Sequence, residues 1–482
     1  ERYAVSRGAF ARLSGEDLAF FRAVLPPEDV LVQDGQDGAG LEAYNVDWLG
    51  TVRGRAGVVL RPRTVQQVSA VMAHCHARVL AVCPQGGNTG LVGGSVPVFD
   101  EVVVSLGKMA QVISIDELSG VLVCEAGCVL EGLEGTLAEH GLRMPLDLGA
   151  KGSCQIGGNV ATNAGGLRVL RYGSLHGSVV GAEFVLADGT IVDALSKMRK
   201  DNTGSYLRQL VIGSEGTLGI ITKLSIACPP KVLSEHVAFM ACSSYEAVLQ
   251  TYREARRHLG EILSAFEMLD AACIDVLRQW SAVKSPLETQ APFYVLVETA
   301  GSDAAHDEEK LHRFLESAMQ SGSVHDGVVA SEPSKMRSIW EVRERVTETL
   351  KHDGYVYKYD ISLPLPDFYR VVEDTRRRFA GDSGVTRVVG FGHLGDGNLH
   401  LNLTASEYSE RVQSRLEPWL WEWTQRVGGS ISAEHGVGLK KRDVLEYSKG
   451  REAIELMAKL KRSLDPNGIL NPYKMVRVPG MA

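Results

Sequence analysis

The chain has 482 residues, of which 44% are hydrophobic and 23% are charged, a composition typical of globular proteins with two or three domains. Its net charge of −8 argues against a nucleic-acid-binding protein, because such proteins usually carry a basic surface. No run of about 18 apolar residues occurs, so we expect no transmembrane helix.

The first half of the chain alternates short apolar runs with helical stretches, which predicts an α+β fold. The apolar spacing predicts helices over residues 64–77 and 129–140, and strands over residues 79–82, 101–106 and 121–124. In residues 179–194, Asp188-Gly189 lies between two apolar runs, which predicts a β-hairpin.

The composition changes near Pro229-Pro230, which we interpret as a linker. A β-α-β rhythm follows twice and predicts a ferredoxin-like sheet. Its predicted elements are a strand at 237–241, a helix at 245–259, strands at 265–268 and 293–299, a helix at 306–320 and a strand at 328–331. Two helices (334–352 and 366–379), a hairpin (387–404) and a helical stretch over the last 60 residues are predicted after it.

Eight cysteines are scattered along the chain without a C-x-x-C pair. This pattern favours reduced thiols over a disulfide framework. The chain begins at Glu1 and not at Met, so we expect a processed or trimmed form from which a targeting peptide has been removed.

Three glycine-rich clusters occupy residues 84–94, 145–166 and 212–222. Glycine lets the backbone bend freely and lets its N–H groups point at one ligand, so such a loop suits a pyrophosphate. A single cluster is equally compatible with a tight turn. No G-x-G-x-x-G motif opens a helix and no P-loop motif is present in its proper context, which argues against a Rossmann or P-loop nucleotide site.

The segment 390–404, GFGHLGDGNLHLNLT, contains Asp396-Gly397, a strong hairpin turn signal. With these two as the central residues, His393 would lie directly opposite His400, and Asn402 would share their face of the sheet. Glu434, next to His435, would supply a third metal ligand. Two imidazoles and a carboxylate suit zinc, and manganese or iron(II) would also fit. From the pattern alone, a structural or surface histidine pair is the more frequent outcome.

The motifs PQGGNTGLVGGSVP, PLDLGAKGSCQIGGNVATNAGG, RYGSLHG and IGSEGTLGIIT resemble the FAD-binding half of the vanillyl-alcohol-oxidase-type flavoproteins. Within these, the chain resembles the D-2-hydroxyglutarate dehydrogenases most and the D-lactate dehydrogenases less, from about Arg53 to Tyr473. The resemblance implies a two-part FAD-binding domain of the PCMH (p-cresol methylhydroxylase) type in residues 1–229. It further implies a ferredoxin-like α+β substrate and metal domain in 230–421 and a helical C-terminal segment, 422–482, that returns to the FAD domain.

By the same resemblance, FAD is bound without a covalent link, because Asn88 and its neighbours offer no nucleophile like the histidine of some relatives. The implied cofactor-binding residues are Pro84, Gly86, Gly87, Asn88, Thr89, Gly90, Gly93, Gly94, Leu148, Gly152, Ser153, Gly157, Gly158, Asn159, Thr162, Gly166, Gly216, Gly219, Ile220 and Asn471.

One departure from the family pattern occurs at Asp201–Leu207. The family commonly has Asp-Asn-Thr-Gly-Tyr-Asp-Leu, whereas here Ser205 precedes Tyr206 and the aromatic residue is displaced by one position. We expect a local register change or a weakened contact on the flavin side.

The motifs GHLGDGNLHLN and SAEHGVG carry the metal site in this family. The resemblance therefore implies His393, His400 and Glu434 as ligands of a divalent metal, Zn²⁺ or Mn²⁺, with Asn402 and His435 beside the substrate. The family's RERxT and YKYD motifs add Arg343, Thr347 and Lys358 as residues that hold a substrate carboxylate. Without the resemblance, Arg343 and Lys358 would be interpreted as solvated surface charges.

The resulting hypothesis is an FAD-dependent dehydrogenase that oxidises D-2-hydroxyglutarate to 2-oxoglutarate. A hydride would pass from C2 to flavin N5, the metal would hold the substrate hydroxyl, and His435 would act as general base. The alternatives are a D-lactate or other D-2-hydroxy acid dehydrogenase of the same fold, a zinc hydrolase, and a silent nucleotide-binding scaffold. The resemblance implies an electron-transfer flavoprotein or a quinone-linked carrier as electron acceptor. It also implies the mitochondrial matrix as the location in a eukaryote, and the cytoplasm otherwise.

Overall fold

Helices and strands alternate along most of the chain in a computed structural model that describes residues 5–33 and 39–481. The α-helices are α1 (Gly15–Val24), α2 (Glu42–Asn45), α3 (Val65–Arg78), α4 (Leu130–Glu139), α5 (Ile156–Thr162), α6 (Val169–Tyr172), α7 (Leu175–Ser178), α8 (Tyr245–Leu259), α9 (Ala271–Trp280), α10 (Ala304–Gln320), α11 (Pro333–Thr349), α12 (Arg370–Arg378), α13 (Glu410–Leu416), α14 (Trp419–Arg426) and α15 (Arg451–Leu464).

The strands form three sheets. They are β1 (Val30–Val32), β2 (Val58–Leu60), β3 (Val82–Gln85), β4 (Val102–Ser105), β5 (Val112–Asp116), β6 (Val121–Glu125), β7 (Val179–Val185), β8 (Ile191–Ala194), β9 (Ile220–Ala227), β10 (Ser234–Cys242), β11 (Leu263–Asp270), β12 (Phe293–Gly301), β13 (Asp326–Ala330), β14 (Tyr355–Ser362), β15 (Arg387–His393) and β16 (Asn398–Ala405).

The described residues divide into two units. The first unit contains the chain up to Gly165, the stretch Ser174–Lys231 and the stretch from Glu434 onward. The second unit contains Val232–Ala433 and the short insertion Gly166–Gly173. Each unit is therefore assembled from segments that are far apart in the sequence.

The first unit contains a four-stranded sheet, ordered β1-β2-β4-β3, and a five-stranded sheet, ordered β5-β6-β9-β7-β8. Helix α3 shows how the sequence specifies one of its parts. Thr64 caps the helix by accepting the backbone N–H of Gln67, and the buried Val68, Val71, Met72 and Cys75 follow the helical period. That apolar face packs into the hydrophobic core of the unit.

The second unit has one seven-stranded sheet, ordered β13-β10-β12-β11-β15-β16-β14. Its first four strands are antiparallel neighbours, and α8 and α10 connect them in two β-α-β repeats. This is the ferredoxin-like arrangement that the sequence predicted, and the α+β fold class is confirmed. The hairpin β15–β16, predicted over residues 387–404, extends the sheet beyond β11, and so does the strand β14, which was not predicted.

Two sequence-based element assignments were wrong. Residues 79–82 do not form a strand as a whole, because Val79 adopts a left-handed conformation (φ 57°) that ends α3, and β3 begins only at Val82. The last 60 residues are not helical throughout. Between α14 and α15 the glycine-rich chain is irregular apart from a 3₁₀ turn at Arg442–Tyr447, and no helix follows α15 among the described residues.

All eight cysteines are buried and none forms a disulfide, in agreement with the predicted reduced thiols. Among the helices of the described chain, none has both the length and the apolar character needed to cross a membrane.

Candidate active site

A cavity in the first unit, with about 900 Å³ of empty space including its open mouth, is lined by all three glycine clusters. The predicted cofactor-binding residues that line it are Pro84, Gly86, Gly87, Asn88, Thr89, Gly90, Gly94, Gly157, Gly158, Asn159, Thr162, Gly216, Gly219 and Ile220.

Two of these glycines let separate loops approach one another. A Cβ atom at Gly87 would lie 2.1 Å from the carbonyl oxygen of Ser153, and one at Gly157 would lie 2.5 Å from the Cβ of Ala126. Any larger residue at these positions would push the first and second clusters apart or displace the wall of the cavity. The clusters therefore build one cavity and not three independent turns.

The lining of the cavity fits a polar, flat ligand such as FAD. Gly158 has no heavy atom within 4 Å of where a Cβ would stand, so its backbone lies open to a ligand. Two buried side-chain oxygens, Oε1 of Gln155 and Oδ1 of Asn159, find no hydrogen-bond partner among the described residues. Buried polar atoms without partners are rare, and both belong to residues of the cavity wall.

Several predicted cofactor-binding residues do not line this cavity. They are Gly93, Leu148, Gly152, Ser153, Asn471 and, in the second unit, Gly166. Asn471 supports the cavity indirectly. Its side-chain amide donates to the carbonyl oxygens of Gly94 and Glu215 and so holds two cavity loops together.

The displaced aromatic residue Tyr206 is 46% exposed. It donates a hydrogen bond to Asn202 and lies against the guanidinium of Arg208, and it does not line the cavity.

His435 also lines this cavity, together with Glu215, which the sequence reasoning missed. The two carboxylate oxygens of Glu215 accept the backbone N–H groups of Val437 (2.7 Å) and Gly438 (2.6 Å). Burial raises the pKa of Glu215, and these two hydrogen bonds oppose that effect. Glu215 thereby ties the loop that carries His435 to the cavity wall. The position of Glu215 inside a glycine cluster was the only sequence signal for it.

In the second unit, one face of β11, β15, β16 and β14 carries a row of polar side chains. Glu267 of β11 pairs with His393 of β15, and His393 pairs with Asn398 of β16. His400 of β16 pairs with Phe391 of β15 on one side and with Asp360 of β14 on the other. One step further along the same face, Asn402 lies opposite Lys358. Leu399, Leu401 and Leu403 point to the other face and are fully buried, because successive side chains of a strand alternate between the two faces of the sheet.

The predicted register of the β15–β16 hairpin was wrong. His393 pairs with Asn398 and not with His400, because a 3₁₀ turn at Leu394–Asp396 makes the connection longer than a two-residue turn. The shift is by two positions on one strand. Since side chains alternate with a period of two, His393 and His400 still share one face.

The two histidines converge. Their Nε2 atoms are 3.4 Å apart and their ring planes are nearly perpendicular, at 81°. Two imidazole nitrogens bound to one tetrahedral zinc ion at about 2.0–2.1 Å would be roughly 3.3–3.4 Å apart, so the pair has the spacing of metal ligands. His393 and His400 are 6% exposed each, which shields such a site from water.

Glu267 contacts two predicted site residues. Its Oε1 lies 2.6 Å from Nδ1 of His393, and its Oε2 accepts a hydrogen bond of 2.6 Å from Nε of Arg343. Burial would raise the pKa of the Glu267 carboxyl, but its interactions with His393 and Arg343 lower it to about 2. Arg343 is itself buried and lies over the ring of Phe391, so the interpretation of Arg343 as a solvated surface charge does not hold.

The remaining predicted substrate residues of this unit differ in exposure. Asn402 is fully buried; its amide donates to the carbonyl oxygen of His400, and its Oδ1 has no hydrogen-bond partner among the described residues. Lys358 and Thr347 are half-buried. Glu434, the predicted third metal ligand, belongs to the first unit, where its Oε1 lies 3.6 Å from Nε2 of His435.

Comparison with known proteins gives two family matches that together extend over most of the chain. Residues 56–195 match the family described as FAD binding domain, and residues 233–475 match the family described as FAD linked oxidases, C-terminal domain.

The chain is similar to named relatives over nearly its whole length. It is 56% identical over 465 residues to the mitochondrial D-2-hydroxyglutarate dehydrogenase of Danio rerio, which covers 96% of this chain and 86% of the relative. It is 51% identical to the protein of the same name from Arabidopsis thaliana, with 97% and 82% covered. Among solved structures, p-cresol methylhydroxylase superposes with a TM-score of 0.74 at 16% identity, with 95% of this chain and 96% of that chain covered, which shows a shared fold.

Proposed function

This chain belongs to the FAD-linked oxidase family that includes the D-2-hydroxyglutarate dehydrogenases, and we propose that it oxidises D-2-hydroxyglutarate to 2-oxoglutarate. The observation that carries the proposal is the cavity of the first unit, where three glycine clusters and the imidazole of His435 line one space. A zinc hydrolase would not need the glycine clusters, and a silent nucleotide-binding scaffold would not need His435.

In the proposed reaction, bound FAD would accept the hydride from C2 of the substrate, and a bound divalent metal would make the C2 hydroxyl more acidic. His435 takes the proton of that hydroxyl on a ring nitrogen. An imidazole suits this role because its unperturbed pKa, about 6.5, lies near physiological pH. The backbone N–H groups of the first glycine cluster, with Gly86, Gly87 and Gly90, hold the pyrophosphate of the cofactor.

His393 and His400 would hold the metal through their Nε2 atoms, with Glu434 as the third ligand. The spacing of the two nitrogens and the burial of both rings support this assignment. Zinc is the proposed ion, because two imidazole nitrogens and a carboxylate oxygen suit it, and manganese is the alternative.

Arg343, Thr347, Lys358 and Asn402 would bind the substrate in the second unit. A dicarboxylate needs a second cationic group that a monocarboxylate does not, and this unit presents both Arg343 and Lys358. Asn402 offers a buried carbonyl oxygen with no partner among the described side chains and backbone, which suits a hydroxyl donor. The alternative substrate is D-lactate, which has a single carboxylate and would leave Lys358 without a role.

The proposed electron acceptor is an electron-transfer flavoprotein or a quinone-linked carrier. The Danio rerio and Arabidopsis thaliana relatives are named as mitochondrial proteins. We therefore place this chain in the mitochondrial matrix of a eukaryotic cell, or in the cytoplasm of a prokaryotic one.

The proposal is tested by a screen of D-2-hydroxy acids with an artificial electron acceptor, with and without a chelator. We expect oxidation of D-2-hydroxyglutarate that is lost with the chelator and returns with Zn²⁺ or Mn²⁺. Lys358→Met should lower the preference for D-2-hydroxyglutarate over D-lactate. A preparation without bound flavin, or one that oxidises only D-lactate, would contradict the proposed function.

The role of His435 is tested separately by anaerobic reduction of the flavin. His435→Ala should slow the bleaching of the flavin by D-2-hydroxyglutarate by a factor of about 10²–10⁴, the usual contribution of a general base. Bleaching at nearly the normal rate would remove His435 from the mechanism.

A further inference from the structure

We propose that Glu267 is a positioning residue that fixes the tautomer of His393 and the orientation of Arg343 at the same time. This role rests on the proposed metal-assisted oxidation, in which His393 holds the ion and Arg343 holds a substrate carboxylate. Neither the sequence motifs nor the family resemblance pointed to Glu267, which lies in β11, far from both partners in the sequence.

The geometry gives each partner its own oxygen atom. Oε1 of Glu267 is 2.6 Å from Nδ1 of His393, and Oε2 is 2.6 Å from Nε of Arg343. The carboxylate is fully buried, so no water competes for these lone pairs. A buried carboxylate without hydrogen bonds would be very costly, and these two contacts satisfy it.

The contact with His393 determines which ring nitrogen carries the proton. A carboxylate only accepts hydrogen bonds, so Nδ1 of a neutral His393 must be the protonated nitrogen. Its Nε2 then carries the lone pair, and that atom lies 3.4 Å from Nε2 of His400. Such a carboxylate–histidine pair is the usual arrangement behind a metal-binding imidazole.

The contact with Arg343 leaves part of its guanidinium available. Only Nε is used by Glu267, and the two terminal nitrogens make no hydrogen bond within the described parts of the chain. The stacking of the guanidinium on Phe391, 4.7 Å from the ring centroid, fixes its plane. Arg343 is thereby held with its terminal N–H groups free for a substrate carboxylate.

Glutamine at position 267 would keep the size of the side chain but not its two acceptors. Arg343 can only donate, so the single amide oxygen should face Arg343 and the amide NH₂ should face Nδ1 of His393. Nδ1 would then have to accept, and the proton would move to Nε2. His393 would lose the lone pair that a metal needs.

Glu298 offers a matched control in the neighbouring strand β12. It is also buried and also bonded to an arginine, with its Oε1 3.0 Å from Nε of Arg168. Its other partners are Ser264 and Trp340, and within the described chain no imidazole bonds to its carboxylate. Glu298→Gln therefore tests the loss of a buried charge in the same sheet without a change at a histidine.

The experiment measures zinc affinity by competition with a chelator, and the tautomer of His393 by ¹⁵N NMR on histidine-labelled, metal-free protein. The His393 signal is assigned with a His393→Gln variant. We expect the Nδ1–H tautomer in the wild type and the Nε2–H tautomer in Glu267→Gln. The latter should bind zinc about 10- to 100-fold more weakly, the usual effect of removing such a partner. Glu298→Gln should match the wild type in both measurements.

Each other outcome overturns one identifiable claim. An Nε2–H tautomer in the metal-free wild type would overturn the role of Glu267 without any variant having to fold. So would normal zinc affinity in Glu267→Gln, or an equal loss of affinity in Glu298→Gln. A wild type with the expected tautomer that binds no zinc would instead contradict the metal part of the proposed function.

Discussion

Gly87 shows how a single hydrogen atom in place of a side chain determines the cofactor cavity. Its Cα lies so close to the second glycine cluster that a Cβ would stand 2.1 Å from the carbonyl oxygen of Ser153. The first loop can therefore lie against the second only if residue 87 has no side chain. That requirement explains why position 87 is a glycine.

Gly87→Ala should weaken FAD binding and lower the stability of the apoprotein, because the loop backbone must move to relieve the contact. We expect a destabilisation of about 1–3 kcal/mol, the usual cost of overpacking, measured by chemical denaturation, and a higher dissociation constant for FAD measured by fluorescence. Gly132 in α4 is the control, since no atom lies within 4 Å of its Cβ position. Gly132→Ala should stabilise the protein by roughly 0.5–1 kcal/mol, and equal effects of the two substitutions would contradict the role of Gly87.

At the scale of one element, the β15–β16 hairpin shows which features of a register matter. The 3₁₀ turn at Leu394–Asp396 changes the partner of His393, yet the two histidines stay on one face because the shift is even. A shift by one residue would have turned His400 into the apolar side of the sheet. The leucines that alternate with the polar residues define the buried face and so prevent that shift.

The loop that carries His435 depends on another element-scale contact, that of Glu215 with two successive backbone N–H groups. Glu215→Gln keeps one acceptor oxygen and places an NH₂ group against the second N–H. We expect a loss of about 1–3 kcal/mol for the unsatisfied donor and a slower anaerobic reduction of the flavin by substrate, by a factor of about 10 or more.

A matched control exists in the same unit. Glu101 is buried and likewise accepts two successive backbone N–H groups, those of Val98 and Phe99, but it does not line the cavity. Glu101→Gln should cost similar stability and leave the rate of flavin reduction unchanged. If both variants slowed flavin reduction equally, general destabilisation and not the His435 loop would be the cause.

At the scale of the whole molecule, the two units have separate hydrophobic cores. The cofactor cavity is lined by the first unit, and the histidine pair lies in the second. A ligand stabilises the part of a protein that it contacts, by about 2.7 kcal/mol at a concentration of 100 times its dissociation constant. The two proposed ligands should therefore protect different parts of the chain.

Hydrogen exchange followed by mass spectrometry tests this expectation. Addition of FAD to flavin-free protein should slow exchange mainly in residues 84–95, 154–162 and 215–221. Addition of Zn²⁺ to metal-free protein should slow it mainly in residues 355–362, 387–405 and, through the proposed third ligand Glu434, 432–436, by up to about 100-fold. Protection by zinc that is absent from β15 and β16 would argue against His393 and His400 as ligands.

The sequence by itself determined the α+β class, the ferredoxin-like repeats of the second unit and the glycine clusters of the cavity. These features are encoded locally, through the period of apolar residues and the freedom of glycine, so they can be read from neighbours in the chain. Helix α8, predicted at residues 245–259, matches its observed bounds for this reason. The histidine pair was also found, since its face of the sheet depends only on alternation.

Only the tertiary structure decided which residues support those groups. Glu267 lies 126 positions from His393, and Glu215 lies 222 positions from Val437, so no local pattern connects them. Strand β14 and the insertion of residues 166–173 into the second unit are likewise long-range results. Burial and pairing between distant segments are set by how the whole chain packs, and periodicity along the sequence carries no record of them.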